Sequence, residues 1–330
     1  MMKQNSIKIN FIMNIFLTMS AFIFPLITFP YVSRILLPDG IGKVSFVTSI
    51  VTYFNMFAQL GIPTYGIRLC AQVRDDKNEL SQVVHELLFI NLIMSVFMYI
   101  TLAICIFLIP KLSAEKNLFI IISSTIVFNA IGVEWMYKGL EKYTYITIRS
   151  FIFKIIALIA MLVLVHEKKD YLIYGAITVF AASASNVLNF INSHKYVYLN
   201  HVKKYNIRRH VKPILIFFAM SCATIIYTNL DTVMLGFMTS DTDVGYYNAA
   251  VKIKVVLLGL VTSLGTVLLP RVSYYIEHDM KEQFWEISQK AIEFVFVISL
   301  PLIAYFIVFA KDYKIDEYKI LITPLSNGDV

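Results

Sequence analysis

The chain has 330 residues, of which 58% are hydrophobic and 15% charged, with a mean hydropathy of +0.69 and a net charge of +7. A soluble domain carries a smaller apolar share and about a quarter charged residues, so this composition describes a polytopic membrane protein with an all-α fold. The positive charge does not point to nucleic acid, because the basic residues sit in short segments between apolar runs, as membrane topology is written.

A bilayer core needs about 20 apolar residues as helix. Nine stretches satisfy this: 11–37, 42–62, 84–109, 117–137, 144–165, 171–192, 213–238, 245–269 and 287–310. The first is longer than a signal-peptide core and no small-residue cleavage site follows it, so it reads as a retained span. Pro25 and Pro30 lie late in it and are expected to bend it, with Arg34 beyond the bend and Pro38-Asp39-Gly40 making the turn.

Lys and Arg concentrate in the segments on the N-terminal side of the membrane, above all in 193–212, which places the N-terminus in the cytoplasm. The expected organisation is a six-helix lobe over 1–200, a basic cytoplasmic connection over 201–212, a partial three-helix lobe over 213–312 and a polar tail over 313–330.

The two halves share a repeat. A gapless offset of 203 aligns 42–68 with 245–271, pairing Gly42 with Gly245 and Arg68 with Arg271. Six spans separate the copies, so both have the same orientation, and the lobes are expected to be related by an axis along the membrane normal.

Ionisable residues inside spans are the candidate site residues, since each costs about 2.5–3.5 kcal/mol at the bilayer centre on insertion scales. Lys154 lies at the middle of the fifth span. It reads either as a cavity cation for an anionic substrate or as the partner of a carboxylate or backbone carbonyl. Asp231 and Lys252 each lie seven positions from the loop joining spans seven and eight, about 10 Å below the surface, and are expected to pair or to share a hydrated cavity. Ser221, Thr224 and Thr228 extend Asp231 into a polar stripe. Arg34 is a cation at the outer mouth or a snorkelling residue. Arg68 and Arg271 sit at inner ends, where basic residues are ordinary, but both could meet lipid phosphate. Glu134 and Trp135 read as interfacial anchors.

No metal spacing and no nucleotide or hydrolase motif occurs, so the expectation is a non-enzyme without catalytic residues, metal or cofactor. Cys70, Cys105 and Cys222 are scattered and read as packing residues.

Two stretches carry a family resemblance. "FPYVSRILLPDGIGKVSFVTSIVTYFNMFAQLGIPTYGIR" (29–68) resembles the N-terminal signature of bacterial oligosaccharide flippases, the Wzx or RfbX-type polysaccharide transporters. "NLDTVMLGFMTSDTDVGYYNAAVKI" (229–253) resembles their second-half signature. The resemblance implies the MATE-like multidrug, oligosaccharidyl-lipid and polysaccharide superfamily, with two lobes around a cavity open alternately to either side. It implies as substrate an undecaprenyl-diphosphate-linked oligosaccharide, moved to the outer leaflet for O-antigen or capsule synthesis. Membrane lipids, a polysaccharide polymerase and other assembly proteins are the implied partners, with no nucleic acid. Arg34, Lys154 and Lys252 are of the right charge to meet the diphosphate. Such flippases have more spans than are counted here, so the second lobe is expected to be truncated. A MATE-type drug or metabolite antiporter is the alternative, and would favour acidic cavity residues. A membrane glycosyltransferase or polymerase would show a long outer loop, which is missing between these spans.

Overall fold

The computed structural model describes residues 7–198, 205–255 and 280–322, with three isolated positions between the last two stretches. The described residues are helical and contain no strand. Five stretches among them are long and apolar enough to cross a membrane: Ile12–Gln72, Lys77–Leu108, Tyr143–Leu164, Lys168–Ser193 and Arg208–Met238. The protein is a multi-pass, all-α membrane protein.

The elements that position the site are α1 (Ile7–Gln59), α2 (Ile62–Gln72), α3 (Lys77–Leu108), α4 (Pro110–Ala114), α5 (Lys116–Ile131), α6 (Glu134–Gly139), α7 (Tyr143–Leu164), α8 (Tyr171–Val179), α9 (Asn186–Ser193) and α10 (Arg208–Met238). Residues 241–255 are helical, and α11 covers Lys281–Ile322. Most of the eighth predicted span lies outside the described residues, while the ninth falls within α11. That helix continues beyond 312 into the stretch expected as a polar tail.

The turn between the first two spans falls beside Pro38, as the sequence suggested. Pro25, Pro30 and Pro38 all lie within α1, but the backbone leaves helical geometry at Leu37 (φ 57°, ψ 178°). The ring of Pro38 disfavours the α conformation at the residue before it. The turn expected at Pro38-Asp39-Gly40 thus begins one residue earlier, at Leu37, while the backbone keeps helical geometry through Pro25 and Pro30. Near the first two prolines, the Thr28 hydroxyl donates to Phe24 O at 3.0 Å and the Ser33 hydroxyl to Pro30 O at 3.2 Å.

Contacts fix the running direction of each helix. Residues before Leu37 run parallel to α7, with Thr147 on Met13, Lys154 on Ser20 and Tyr31 on Val165. Residues after Leu37 run parallel to α5, through Lys43–Glu115 and Asn55–Asn129. In turn α5 runs parallel to the α8–α9 segment, through Glu115–Tyr171 and Asn129–Asn186. That segment is antiparallel to α7, through Tyr145–Leu188 and Phe153–Phe180. The chain therefore reverses at Leu37, and α1 makes two antiparallel crossings. By the same logic α3 is antiparallel to α5 (Asn91–Ala130, Tyr99–Ser123), and α10 is antiparallel to the second limb of α1 (Phe57–Phe218, Phe46–Phe237). Seven successive crossings alternate in direction. The end of this bundle where the chain begins is called proximal below, and the opposite end distal.

By contacts the chain forms two units, Met1–Gly245 and Tyr246–Val330. In the first unit α10 packs with the preceding crossings. Two apolar clusters build its interior. The distal one centres on Phe46, Val47, Leu102, Leu118, Phe119 and Ile126, and the proximal one on Ile62, Leu80, Val83, Leu87, Met136 and Ile146. The outward faces of α3 and α7 expose Val96, Phe97, Ile100 and Ile152, Ile155, Ile159, as lipid-facing helices do.

Candidate functional site: buried charges and two clasps

A cationic cluster sits inside the bundle along α7. Lys154 is half-buried, and its Nζ donates to Ser20 Oγ at 2.7 Å. The Ser20 hydroxyl donates to Leu17 O at 2.7 Å, which leaves its lone pair to the ammonium. Lys154 thus meets neither a carboxylate nor a carbonyl within hydrogen-bond reach; its partner is a neutral hydroxyl. More than one turn earlier on the same helix lies Arg149, which is 5% exposed. Its Nη2 donates to Glu134 Oε2 at 3.2 Å, whereas Nε and Nη1 are buried without a hydrogen-bond partner. The other Glu134 oxygen takes Lys138 at 2.8 Å, and Glu134 also interacts electrostatically with Lys154. Three cations share one carboxylate, so this cluster carries a positive excess.

The reading of Glu134 and Trp135 as interfacial anchors is corrected accordingly. Glu134 is the carboxylate of this cluster, and Trp135 is buried against Gly66, where a Cβ would lie 2.6 Å from its ring. Beside the cluster runs an amide column. Asn186 donates to Asn129 Oδ1 at 3.0 Å, Asn129 to Asn55 Oδ1 at 3.4 Å, and Asn189 to Gly132 O at 2.9 Å. A π-helical turn at Phe180–Ala184 separates α8 from α9, just before the two asparagines of this column. Such turns rotate the face that a helix presents.

Two clasps tie α10 and the residues just after it to the first crossings. At the proximal end Glu86 is completely buried. Its Oε1 accepts from the backbone of Asn206 at 2.7 Å and from Gln82 at 3.0 Å. Its Oε2 accepts from Arg209 Nη2 at 2.7 Å and Nε at 3.0 Å, and lies 2.6 Å from His210 Nε2. His210 Nδ1 lies 2.9 Å from the Tyr65 hydroxyl. One tautomer satisfies both contacts, with Nε2–H donating to Glu86 and Nδ1 accepting from Tyr65. The carboxylate joins α3, the 205–207 segment and α10, and through His210 it reaches α2.

At the distal end Lys111 bonds Asp241 at 2.8 Å, while Lys43 pairs with Asp39 at 3.0 Å and faces Glu115 at 3.7 Å. Gly42 and Gly245 meet beside these pairs. A Cβ on Gly42 would overlap the carbonyl oxygen of Asp241 and lie 2.9 Å from Gly245 N. A Cβ on Gly245 would overlap the carbonyl oxygen of Pro38 and lie 2.8 Å from its Cα. The offset of 203 that aligns Gly42 with Gly245 also aligns Pro38 with Asp241. The contact is reciprocal: each glycine abuts the residue four positions before the other.

The remaining sequence candidates are dispersed. Arg34 is partly buried on α1, three residues before the reversal. Arg68 is exposed on α2. Asp231 is exposed on α10 and interacts electrostatically with Tyr53. The hydroxyls of Ser221, Thr224 and Thr228 donate to carbonyls of the preceding turn. Lys252 is exposed and belongs to the second unit, so the structure describes it apart from Asp231. Arg271 lies outside the described residues. Sequence reasoning missed Arg149, Glu86 and His210. Arg149 and Glu86 each had a signal, an ionisable residue inside an apolar span.

Comparison with known proteins adds a lineage. A family profile described as polysaccharide biosynthesis protein matches residues 7–276. The chain is 26% identical over 259 residues to a "Putative O-antigen transporter" of Escherichia coli (strain K12), an alignment covering 77% of this chain and 62% of that protein. It is 27% identical over 263 residues to a protein of the same description from Shigella dysenteriae, covering 76% of this chain and 64% of the relative. The chain thus spans less than two thirds of the length of either. No solved structure matches it.

Proposed function

We propose, because this chain belongs to the family of polysaccharide biosynthesis proteins, that it carries a polyprenyl-diphosphate-linked oligosaccharide from the inner to the outer leaflet of the cytoplasmic membrane. The single observation that carries the reading is the positive excess around Lys154, Arg149 and Lys138, with Glu134 as their shared carboxylate. Cations held within an apolar bundle, Arg149 buried and Lys154 half-buried, are costly unless they meet an anion, and a diphosphate supplies one. The lipid tail can stay in the bilayer while the polar head crosses. The proximal end is cytoplasmic in this reading, following the distribution of Lys and Arg.

Transport by alternating access needs a gate at each end. The two clasps, at the start of α10 and just beyond its end, have the required placement. Parting the Glu86 clasp would admit substrate from the cytoplasmic side, and parting the Gly42–Gly245 junction would release it outside. Movement would then be a rocking of α10 against the first crossings, with one clasp closed while the other opens.

The test is replacement of Lys154 in the bacterium that encodes the protein. Lys154→Met keeps the length and apolar stem of the side chain but removes its charge. Surface polysaccharide should fall at least tenfold with unchanged protein in the membrane fraction. Lys154→Arg should retain a measurable share. Wild-type polysaccharide with Lys154→Met would remove the cation from the mechanism.

The pairing of Asp231 with Lys252 belongs to the same proposal. Asp231→Ala and Lys252→Ala are each expected to reduce export, and the double variant to lose less than the product of the two. Independent, multiplicative losses would show that the two charges act separately.

A further inference from the structure

A groove on α10 offers a lipid site distinct from the transport cluster. It has a volume of about 750 Å³ and is lined by Arg208, Val211, Lys212, Leu215, Ile216 and Ala219. All six side chains are exposed. They share one helix face at steps of three and four, so the lining forms a stripe. Its chemistry changes along that stripe. Arg208 and Lys212 stand one turn apart at the proximal end, followed by an apolar strip. From Arg208 to Ala219 the stripe is about 16 Å long at 1.5 Å per residue, close to the depth of one leaflet.

Among the described residues the two cations have no counterion. Arg209, between them in sequence, is committed to Glu86 in the proximal clasp. Arg208 and Lys212 have no ion pair or hydrogen bond from their side chains among the described residues.

We propose that this groove binds an anionic phospholipid, with its phosphate between Arg208 and Lys212 and an acyl chain along Val211, Leu215, Ile216 and Ala219. Charge complementarity selects the headgroup. A zwitterionic lipid brings its own cation to the site, whereas an anionic one neutralises both basic residues. Two basic side chains near the surface correspond to a preference of roughly thirtyfold for the anionic lipid. The apolar strip is about one leaflet deep, the reach of an ordinary acyl chain and far shorter than a polyprenyl tail, so the lining favours a phospholipid over the oligosaccharide carrier. The proposal does not depend on the transport reading. Its consequence for the fold is a lipid bound on α10 next to the proximal clasp.

The experiment is native mass spectrometry of the intact purified chain in detergent. The probes are dioleoyl-phosphatidylglycerol, dioleoyl-phosphatidylcholine and undecaprenyl diphosphate. Wild type should retain phosphatidylglycerol about thirtyfold better than phosphatidylcholine. Arg208→Gln with Lys212→Gln should abolish that preference. Ala219→Trp, which fills the apolar end, should weaken retention of phosphatidylglycerol while leaving the helix content by circular dichroism unchanged. Equal retention of the two phospholipids by wild type, or an undiminished preference in the double glutamine variant, would overturn the site. Displacement of phosphatidylglycerol by an equimolar amount of undecaprenyl diphosphate would overturn the assigned occupant.

Discussion

Alanine at Gly42 is expected to force the distal junction apart. The added methyl would overlap the carbonyl oxygen of Asp241, and the neighbouring obstacles are also backbone, with Asp241 C at 2.7 Å and Gly245 N at 2.9 Å. Side chains can turn away from a methyl group, but here the start of the 241–255 helix itself would have to move. Overpacking of this kind costs about 1–3 kcal/mol, and a backbone obstacle puts Gly42→Ala at the upper end. Gly245→Ala should cost a similar amount, because its methyl would overlap Pro38 O. The reciprocal geometry makes a sharper prediction for the pair. Once the junction has opened for one methyl, the second finds room, so the double variant should lose less than the sum of the single losses. Thermal unfolding in detergent measures the cost. Labelling of a cysteine introduced at Ser240 with an impermeant maleimide measures the opening, and should rise in each variant. Additive losses without a change in labelling would mean that the two glycines do not form one junction.

Removal of the carboxylate at Glu86 is the second large effect. Its side chain bonds Gln82, Asn206, Arg209 and His210 together. Breaking a buried ion pair by deleting one partner costs about 3–5 kcal/mol, since the other charge is left without a counterion. Arg209 is 37% exposed and can turn toward water, so Glu86→Ala should lie near the lower figure. Glu86→Gln preserves the shape and one acceptor, and should lose less than Glu86→Ala. In the Glu86→Ala background, Arg209→Ala should add little, because its partner is already gone. Thermal unfolding of the four proteins decides this. Full additivity of Glu86→Ala and Arg209→Ala would show that Arg209 does not depend on the carboxylate. If the clasp is also the cytoplasmic gate, export should fall in Glu86→Ala even at temperatures where the variant stays folded.

The class of protein and the course of the chain were legible because membrane insertion is read from local composition. The first seven predicted spans all coincide with crossings. Lys154 was legible for the same reason, as a cation in the middle of an apolar run. The Gly42–Gly245 match was legible as a repeat, although its sequence contained no hint that the aligned glycines touch. The turn at Pro38-Asp39-Gly40 was legible because a proline restricts the residue before it. The break fell at Leu37, where Pro38 constrains the preceding residue and the chain must also turn back. Arg149 was passed over because its partner, Glu134, belongs to a separate short helix.

By itself, then, the sequence determined the solvent of this protein, the length and order of its helices, and which charges would be costly to bury. Those properties depend on transfer free energies summed over neighbouring residues, and they need no knowledge of partners. The tertiary structure decided which costs are offset and by what. Glu86 finds Arg209 and His210 more than 120 residues away, Lys154 finds Ser20 across 134, and Gly42 finds Asp241. Each meeting depends on how far a helix is rotated and tilted when it packs. Those angles are set by features such as the Leu37 reversal, the π-helical turn before Asn186 and the close approach at two glycines, whose effects are felt only after the helices have come together.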